Sequence, residues 1–420
     1  MDSSGQSLQR RLGTADAIVI GLASMVGAGV FAVFGPAARA AGGWLFAGLI
    51  LAAMVAYANA SASAQLAAAY PTSGGTYVYG RERLGAWWGF AAGWGFVLGK
   101  TASCAAMALT VAAYLVPGNP TAQRVVAVCA VAFAAAVNYR GVTRTARAAR
   151  LLVALTLTCL LVVVASVAVR TAGVPALPGV QGGADWYGVL QSAGLLFFAF
   201  AGYARIATLG EEVVEPRRTI PRAILGALAI VVVLYVLVGW TVLAALGPDR
   251  LAASAAPVRD AVLAIGLDGL APVVQVGAAI ASLGALLALL AGVGRTTLAM
   301  ARNHDLPHVL AAVHPRFATP HRAELVVAVL VAVTVAGMDV RGAIGFSSFG
   351  VLVYYGIANL AAFTQSGGDR RWPRALQVFG LLGCVLLAAT LPWQSVAGGA
   401  AVLGAGLLGR LVLRRSRRRP

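Results

Sequence analysis

The stretch Ser24-Met25-Val26-Gly27-Ala28-Gly29-Val30-Phe31 sits in the middle of an apolar run reaching from residue 14 to residue 40. Such a run is long enough to cross the hydrocarbon core of a bilayer, which takes about 20 helical residues. Glycines at its centre are out of place in a continuous helix, since each weakens it by about 1 kcal/mol relative to alanine. A second run, residues 187–208, carries Phe197-Phe198-Ala199-Phe200-Ala201-Gly202-Tyr203. In lipid, backbone released from a helix is tolerated only where it is buried in protein or lines a cavity. The two stretches therefore mark either a midplane binding site made from broken helices or close helix packing through small residues.

The rest of the chain places both stretches in a membrane. Of its 420 residues 60% are hydrophobic and 11% charged, against about 45–50% and about 25% in soluble domains. A water-soluble globule is excluded. Twelve apolar runs follow one another, at 14–40, 43–69, 86–115, 122–139, 149–171, 187–208, 221–246, 271–299, 322–338, 343–364, 375–391 and 394–413. The expected fold is an all-α polytopic membrane protein with helices 1 and 6 broken. Spans 1 and 6 are five apart and so run in opposite directions. Matching interruptions in opposed halves indicate an inverted repeat, with five helices in 14–171, five in 187–364, and two appended in 375–413. The connection from Gly247 to Leu270 leaves room for a short surface helix over Val258–Ile265.

Charge sets the orientation. The net charge is +18, from 32 Lys+Arg against 14 Asp+Glu. Arginines cluster in alternate connections, as in Arg81 and Arg83, Arg140 to Arg150, Arg217 to Arg222, Arg302 to Arg322, and Arg370 to Arg374. That asymmetry puts the clustered side in the cytoplasm. Both termini belong there: residues 1–13, with Arg10 and Arg11, and the basic tail 414–420. The excess is thus topological, and nucleic acid is not a partner; the tail faces anionic lipid headgroups. The polar start lacks a signal peptide's apolar core and cleavage site, so the first run is expected to remain as a span.

These residues resemble the amino acid–polyamine–organocation permeases. Gly27-Ala28-Gly29-Val30-Phe31 is similar to that family's G-S/A-G-V/I-F break, and Tyr70-Pro71-Thr72-Ser73-Gly74-Gly75-Thr76-Tyr77 to its P-x-S-G-G-x-Y segment. Phe197 to Gly202, then Glu211-Glu212, Pro216 and Ile220-Pro221, resemble its F-x-G-x…E-E…P…I-P run. Ala301-Arg302-Asn303, Leu306-Pro307 and Thr319-Pro320 look like its A-R-D-G-x-L-P…T-P connection, with asparagine where the family has aspartate. The resemblance implies a LeuT-type fold and transport of amino acids or related amines by proton coupling or exchange. It implies that the backbone amides of Ala28 and Gly29, beside Gly27, take a substrate carboxylate. Carbonyls near Met25 and of Phe198, Ala199 and Ala201, beside Gly202, would take the ammonium, and Phe198 or Phe200 would close the site outwards.

Ionisable residues within the spans are few. Lys100, the one lysine in the chain, falls near the middle of span 3. A charge there costs at least about 2.5–3.5 kcal/mol, so such a residue is a functional candidate. Loss of hydration disfavours the charged form of an amine. Lys100 is therefore expected either to take up and release a proton during transport or to be a structural lysine bonded to backbone carbonyls. Some relatives carry a proton-sensitive lysine on span 5, and span 5 here has none. Arg205 near the inner end of span 6 either reaches headgroups, Glu211 or Glu212, or recognises an acidic substrate side chain or forms an inner gate. Glu211 and Glu212 themselves, among Arg217, Arg218 and Arg222, read as an ion-pair network closing the cytoplasmic side.

Other chemistries find little support. Gly27-x-Gly29-x-x-Ala32 matches a dinucleotide fingerprint, but the next acidic residue is Glu82 and the setting is a span. His304 and His308 have metal-ligand spacing, yet Pro307 lies between them and no acidic or cysteine ligands accompany them. Cys104, Cys129, Cys159 and Cys384 fall within apolar runs and form no disulfide framework. No cofactor, metal or enzymatic activity is expected. The expected function is proton-coupled symport of a neutral amino acid across the cytoplasmic membrane. The alternatives are exchange of cationic amino acids or polyamines, and a transporter-like membrane sensor.

Overall fold

The computed structural model describes residues 12–72, 74–141, 146–171 and 185–416, with the side chains of 146–148 and 413–416 excepted. Arg10, Arg11, Ser73, Arg144 and the end of the basic tail lie outside the described residues.

Helices follow in the order α1 (Thr14–Met25), α2 (Ala28–Ala32), α3 (Phe34–Ala41), α4 (Leu45–Ala69), α5 (Gly75–Leu84), α6 (Ala86–Leu115), α7 (Pro120–Tyr139), α8 (Ala146–Arg170) and α9 (Trp186–Phe200). They continue with α10 (Ala204–Ala207), α11 (Pro216–Ala253), α12 (Pro257–Ala264), α13 (Ala271–Arg302), α14 (His321–Gly337), α15 (Val340–Phe363), α16 (Arg374–Thr390) and α17 (Trp393–Ser416). Among the described residues there is no strand; Leu12 and Val213 form a single isolated bridge. Ten helical stretches are long and apolar enough to cross a membrane, and α16 is apolar but shorter.

Local chemistry explains many of the boundaries. Asn119 caps α7 by accepting from the Ala122 amide at 3.0 Å, with Pro120 opening the helix. Asp339 does the same for α15 through the Gly342 amide at 2.8 Å. Gly85, at φ +100°, makes the turn between α5 and α6 that a side chain would strain. The short surface helix forms as α12. Two features depart from expectation. The segment 75–84 is helical although it lacks an apolar face, and α11 runs past residue 246 by kinking at Gly247.

Helix α6 lies at the centre, packed against α13 and α15. Small residues allow this: a Cβ added to Gly99 would come 2.9 Å from the Ser347 carbonyl oxygen. Such close approach supplies van der Waals attraction where lipid removes the hydrophobic drive between helices. Leu151 and Leu155 on α8, Val333 on α14 and Leu382 on α16 point outwards, as bilayer-facing surface requires.

Candidate functional site

The first interruption falls where Gly27 stands. Helix α1 closes with the Val26 amide bonded to the Leu22 carbonyl at 2.7 Å. Val26 (φ −86°, ψ 58°) and Gly27 (φ −118°, ψ −133°) then leave helical geometry, and α2 restarts at Ala28. Its first amides, including Ala28 and Gly29, belong to a turn whose donors have no partner within the helix. A Cβ on Gly27 would strike Ala285 on α13 at 2.7 Å, so this bend lies against the scaffold.

The second interruption falls at Ala201–Tyr203, a tighter 3-10 turn between α9 and α10. The two interruptions meet backbone to backbone. A Cβ on Gly29 would lie 2.9 Å from Ala199, and one on Gly202 would lie 2.4 Å from the Ser24 carbonyl oxygen. Met25, Gly27, Ala28, Gly29, Ala199 and Ala201 thus form one buried cluster, with the half-buried Gly202 beside it. The aromatic pair divides: Phe200 is fully buried against Tyr235, ring centroids 5.0 Å apart, while Phe198 keeps slight exposure.

Three side chains already hold the carbonyls of this cluster. Lys100, buried on α6, donates from Nζ to the Ala201 carbonyl at 3.0 Å. The Tyr355 hydroxyl of α15 donates to the same oxygen at 3.1 Å. The Tyr235 hydroxyl of α11 lies 2.7 Å from the Met25 carbonyl and 2.9 Å from that of Ala199. A hydroxyl has one proton to donate, so Tyr235 shares it between the two broken spans. Lys100 is bonded to backbone, as its structural reading requires, but that backbone is the interruption itself. Tyr235 and Tyr355 went unnoticed in the sequence because tyrosine within an apolar run reads as bulk; its polar handle is the signal that could have found them.

Just beyond the second interruption, Arg205 of α10 donates to Thr208 Oγ1 at 3.5 Å and has Arg295 and Glu212 as charged neighbours. Arg218 pairs with Glu215 at 3.6 Å in the open. Backbone also ties the two spans together: the Leu12 amide bonds to the Glu212 carbonyl at 3.0 Å, and the Val214 amide to that of Leu12 at 2.9 Å. Nearby, a buried charge cluster appears that the sequence did not reveal. Asp305 accepts from Tyr77 at 2.9 Å and Arg81 at 2.8 Å, and pairs with Arg410 at 2.6 Å. Arg410 in turn lies between the rings of Trp87 and Phe90, at 4.8 and 4.6 Å. Burial, reinforced by Asp305, pushes the Tyr77 hydroxyl up to about 12. No cluster of three or more metal-ligating side chains occurs among the described residues.

Comparison with known proteins agrees with this architecture. Residues 12–413 match the amino acid permease family. An uncharacterised transporter of Mycobacterium tuberculosis is 58% identical over 414 residues, covering 98% of this chain and 93% of the relative. A methylthioribose transporter of Bacillus subtilis is 30% identical over 387 residues, covering 86% and 80%. A branched-chain amino acid permease of the same organism is 25% identical over 423 residues, covering 94% and 90%. Interrupted helices that meet at a buried centre, ten membrane-length stretches and a family match along nearly the whole chain converge: this protein belongs to the amino acid permease family and is a multi-pass membrane transporter.

Proposed function

We propose that the protein carries a neutral amino acid across the cytoplasmic membrane by alternating access, driven by protons through Lys100. In this reading all twelve apolar helices span the bilayer, residues 14–171 and 187–364 form inverted repeats, and both termini are cytoplasmic. The amides of Ala28 and Gly29 take the substrate carboxylate, helped by the positive end of the helix dipole. Its ammonium meets the carbonyls of Met25, Phe198, Ala199 and Ala201, and Phe198 covers the site. Arg205, Glu211 and Glu212 belong to the inner closure.

The observation that carries this reading is the Lys100–Ala201 bond at 3.0 Å. A charged donor makes a hydrogen bond roughly twice as strong as a neutral one. A protonated Lys100 holds the Ala201 carbonyl, and with it the second interruption, in the shape that offers the remaining carbonyls to the substrate ammonium. Proton uptake and substrate binding therefore favour each other, as symport requires. A cationic side chain, by contrast, finds no carboxylate in residues 24–31 or 197–203, which speaks against cationic or polyamine exchange.

The test is uptake into proteoliposomes of labelled neutral amino acids and methylthioribose, with and without an inward proton gradient. Uptake that rises with the gradient, and loses that response in Lys100→Met, is the expected result. A folded Lys100→Met protein with full gradient response overturns the coupling. Uptake only into preloaded vesicles makes the protein an exchanger.

A further inference from the structure

Helices α7 and α14 leave between them a cleft of about 400 Å3 that the transport site does not use. We propose that it binds a phospholipid whose headgroup carries a primary ammonium. The cleft extends from Tyr139 and His321 at the basic end of the two helices to Val128 and Ala332 deeper in. That is eleven residues along each helix, 128 to 139 and 321 to 332, or about 16 Å at about 1.5 Å per residue. One leaflet contributes about half of the roughly 30 Å hydrocarbon core. The cleft therefore has the length of one acyl layer and is too short to seat a spanning partner helix along its whole length. Its rim residues Leu325 and Val329 are 62% and 55% exposed, so it opens to the bilayer.

The polar groups gather at the end where headgroups lie. Glu324 lines the cleft, is 4% exposed, and has one carboxylate oxygen without a hydrogen-bond partner. The Nδ1 atom of His321, one turn earlier, also lacks one. Arg295 of α13 acts on Glu324 through space. Arg140 and Arg322 are exposed at the same end. A buried carboxylate with an unmet acceptor seeks an N–H donor, and guanidinium groups bind phosphate. A zwitterionic headgroup with a primary ammonium supplies both charges: lying across the mouth of the cleft rather than along it, it sets its ammonium at Glu324 and its phosphate beside Arg140 and Arg322, with one acyl chain along the cleft. A trimethylated ammonium has no N–H to give.

The experiment is native mass spectrometry of the purified full chain with phosphatidylethanolamine, phosphatidylcholine or phosphatidylglycerol added. The ethanolamine lipid should be retained about tenfold over the choline lipid, the size of one charge-assisted hydrogen bond. Glu324→Gln should abolish that preference. Ala132→Trp, level with Ala328 in the deeper part of the cleft, should lower occupancy by any phospholipid and keeps the test decisive if Glu324→Gln does not fold. Equal retention of the ethanolamine and choline lipids, preference for the glycerol lipid, unchanged selectivity in Glu324→Gln, or unchanged occupancy in Ala132→Trp each overturn the proposal. So does a protein partner found in place of the lipid.

Discussion

Tyr235 places one hydroxyl proton between two carbonyls, 2.7 Å from Met25 and 2.9 Å from Ala199. Removing that oxygen while keeping the ring isolates its contribution. Tyr235→Phe leaves two buried acceptors without their partner, a change worth about 1–3 kcal/mol. The variant should unfold at lower temperature in detergent and should also lose uptake, because both interrupted spans depend on the one hydroxyl. Unchanged melting and uptake would mean that the two spans hold together without it. Lys100 differs in kind, since it brings a charge as well as a bond, and its replacement should alter the pH response of transport more than stability.

At the scale of elements, the two broken spans touch through backbone, and glycine is what permits it. Gly29→Ala must push against Ala199, and Gly202→Ala against the Ser24 carbonyl, at 2.9 and 2.4 Å respectively. Overpacking of this kind costs about 1–3 kcal/mol, so uptake should fall on the order of tenfold in either variant. Gly404→Ala, on α17 with nothing within 4 Å of its Cβ, is the control and should transport normally. Equal transport by all three would show that the spans separate freely where the structure joins them. Helix α5 belongs to the same scale. Its Tyr79 hydroxyl donates to the Ala207 carbonyl at the end of α10, 3.2 Å away, and the Tyr354 hydroxyl accepts from its Thr76 amide at 3.0 Å. It therefore connects α10, the second part of the second broken span, to α15.

Across the whole molecule, Asp305 draws together three distant parts of the chain: α5 through Tyr77 and Arg81, the connection after α13, and α17 through Arg410. With Asp305 4% exposed and the Arg410 side chain 2% exposed, losing the carboxylate takes the negative charge away from two arginines at once. Asp305→Asn should cost about 3–5 kcal/mol, read as a large drop in thermal stability of the purified protein. Arg81→Ala, whose side chain is 30% exposed, should cost about 1 kcal/mol or less. Similar losses from both would place the cluster's energy in hydrogen bonding rather than in buried charge. The Tyr77 hydroxyl, held up to about 12 by burial and by Asp305, stays protonated near neutral pH. Any change of uptake between pH 6 and pH 8 must therefore come from another group.

The sequence by itself determined where the apolar helices lie, to within a few residues in most cases, and that two of them break at Gly27 and just before Gly202. Both properties are local: the length of an apolar run and the presence of glycine are read along the chain without knowing what it packs against. The short polar helix α5 escaped because its residues show no apolar period, and it is held from outside, by Tyr79 on the Ala207 carbonyl of α10 and by the Thr76 amide on Tyr354 of α15. Only the tertiary structure decided which side chains occupy the carbonyls of the breaks. Lys100 and Ala201 are 101 residues apart, and Tyr235 and Met25 are 210 apart. Asp305, unremarkable in a connecting segment, became a buried hub for the same reason. A hydrogen bond inside a membrane protein goes to whatever donor the packing brings within about 3 Å, and no one-dimensional pattern records that distance.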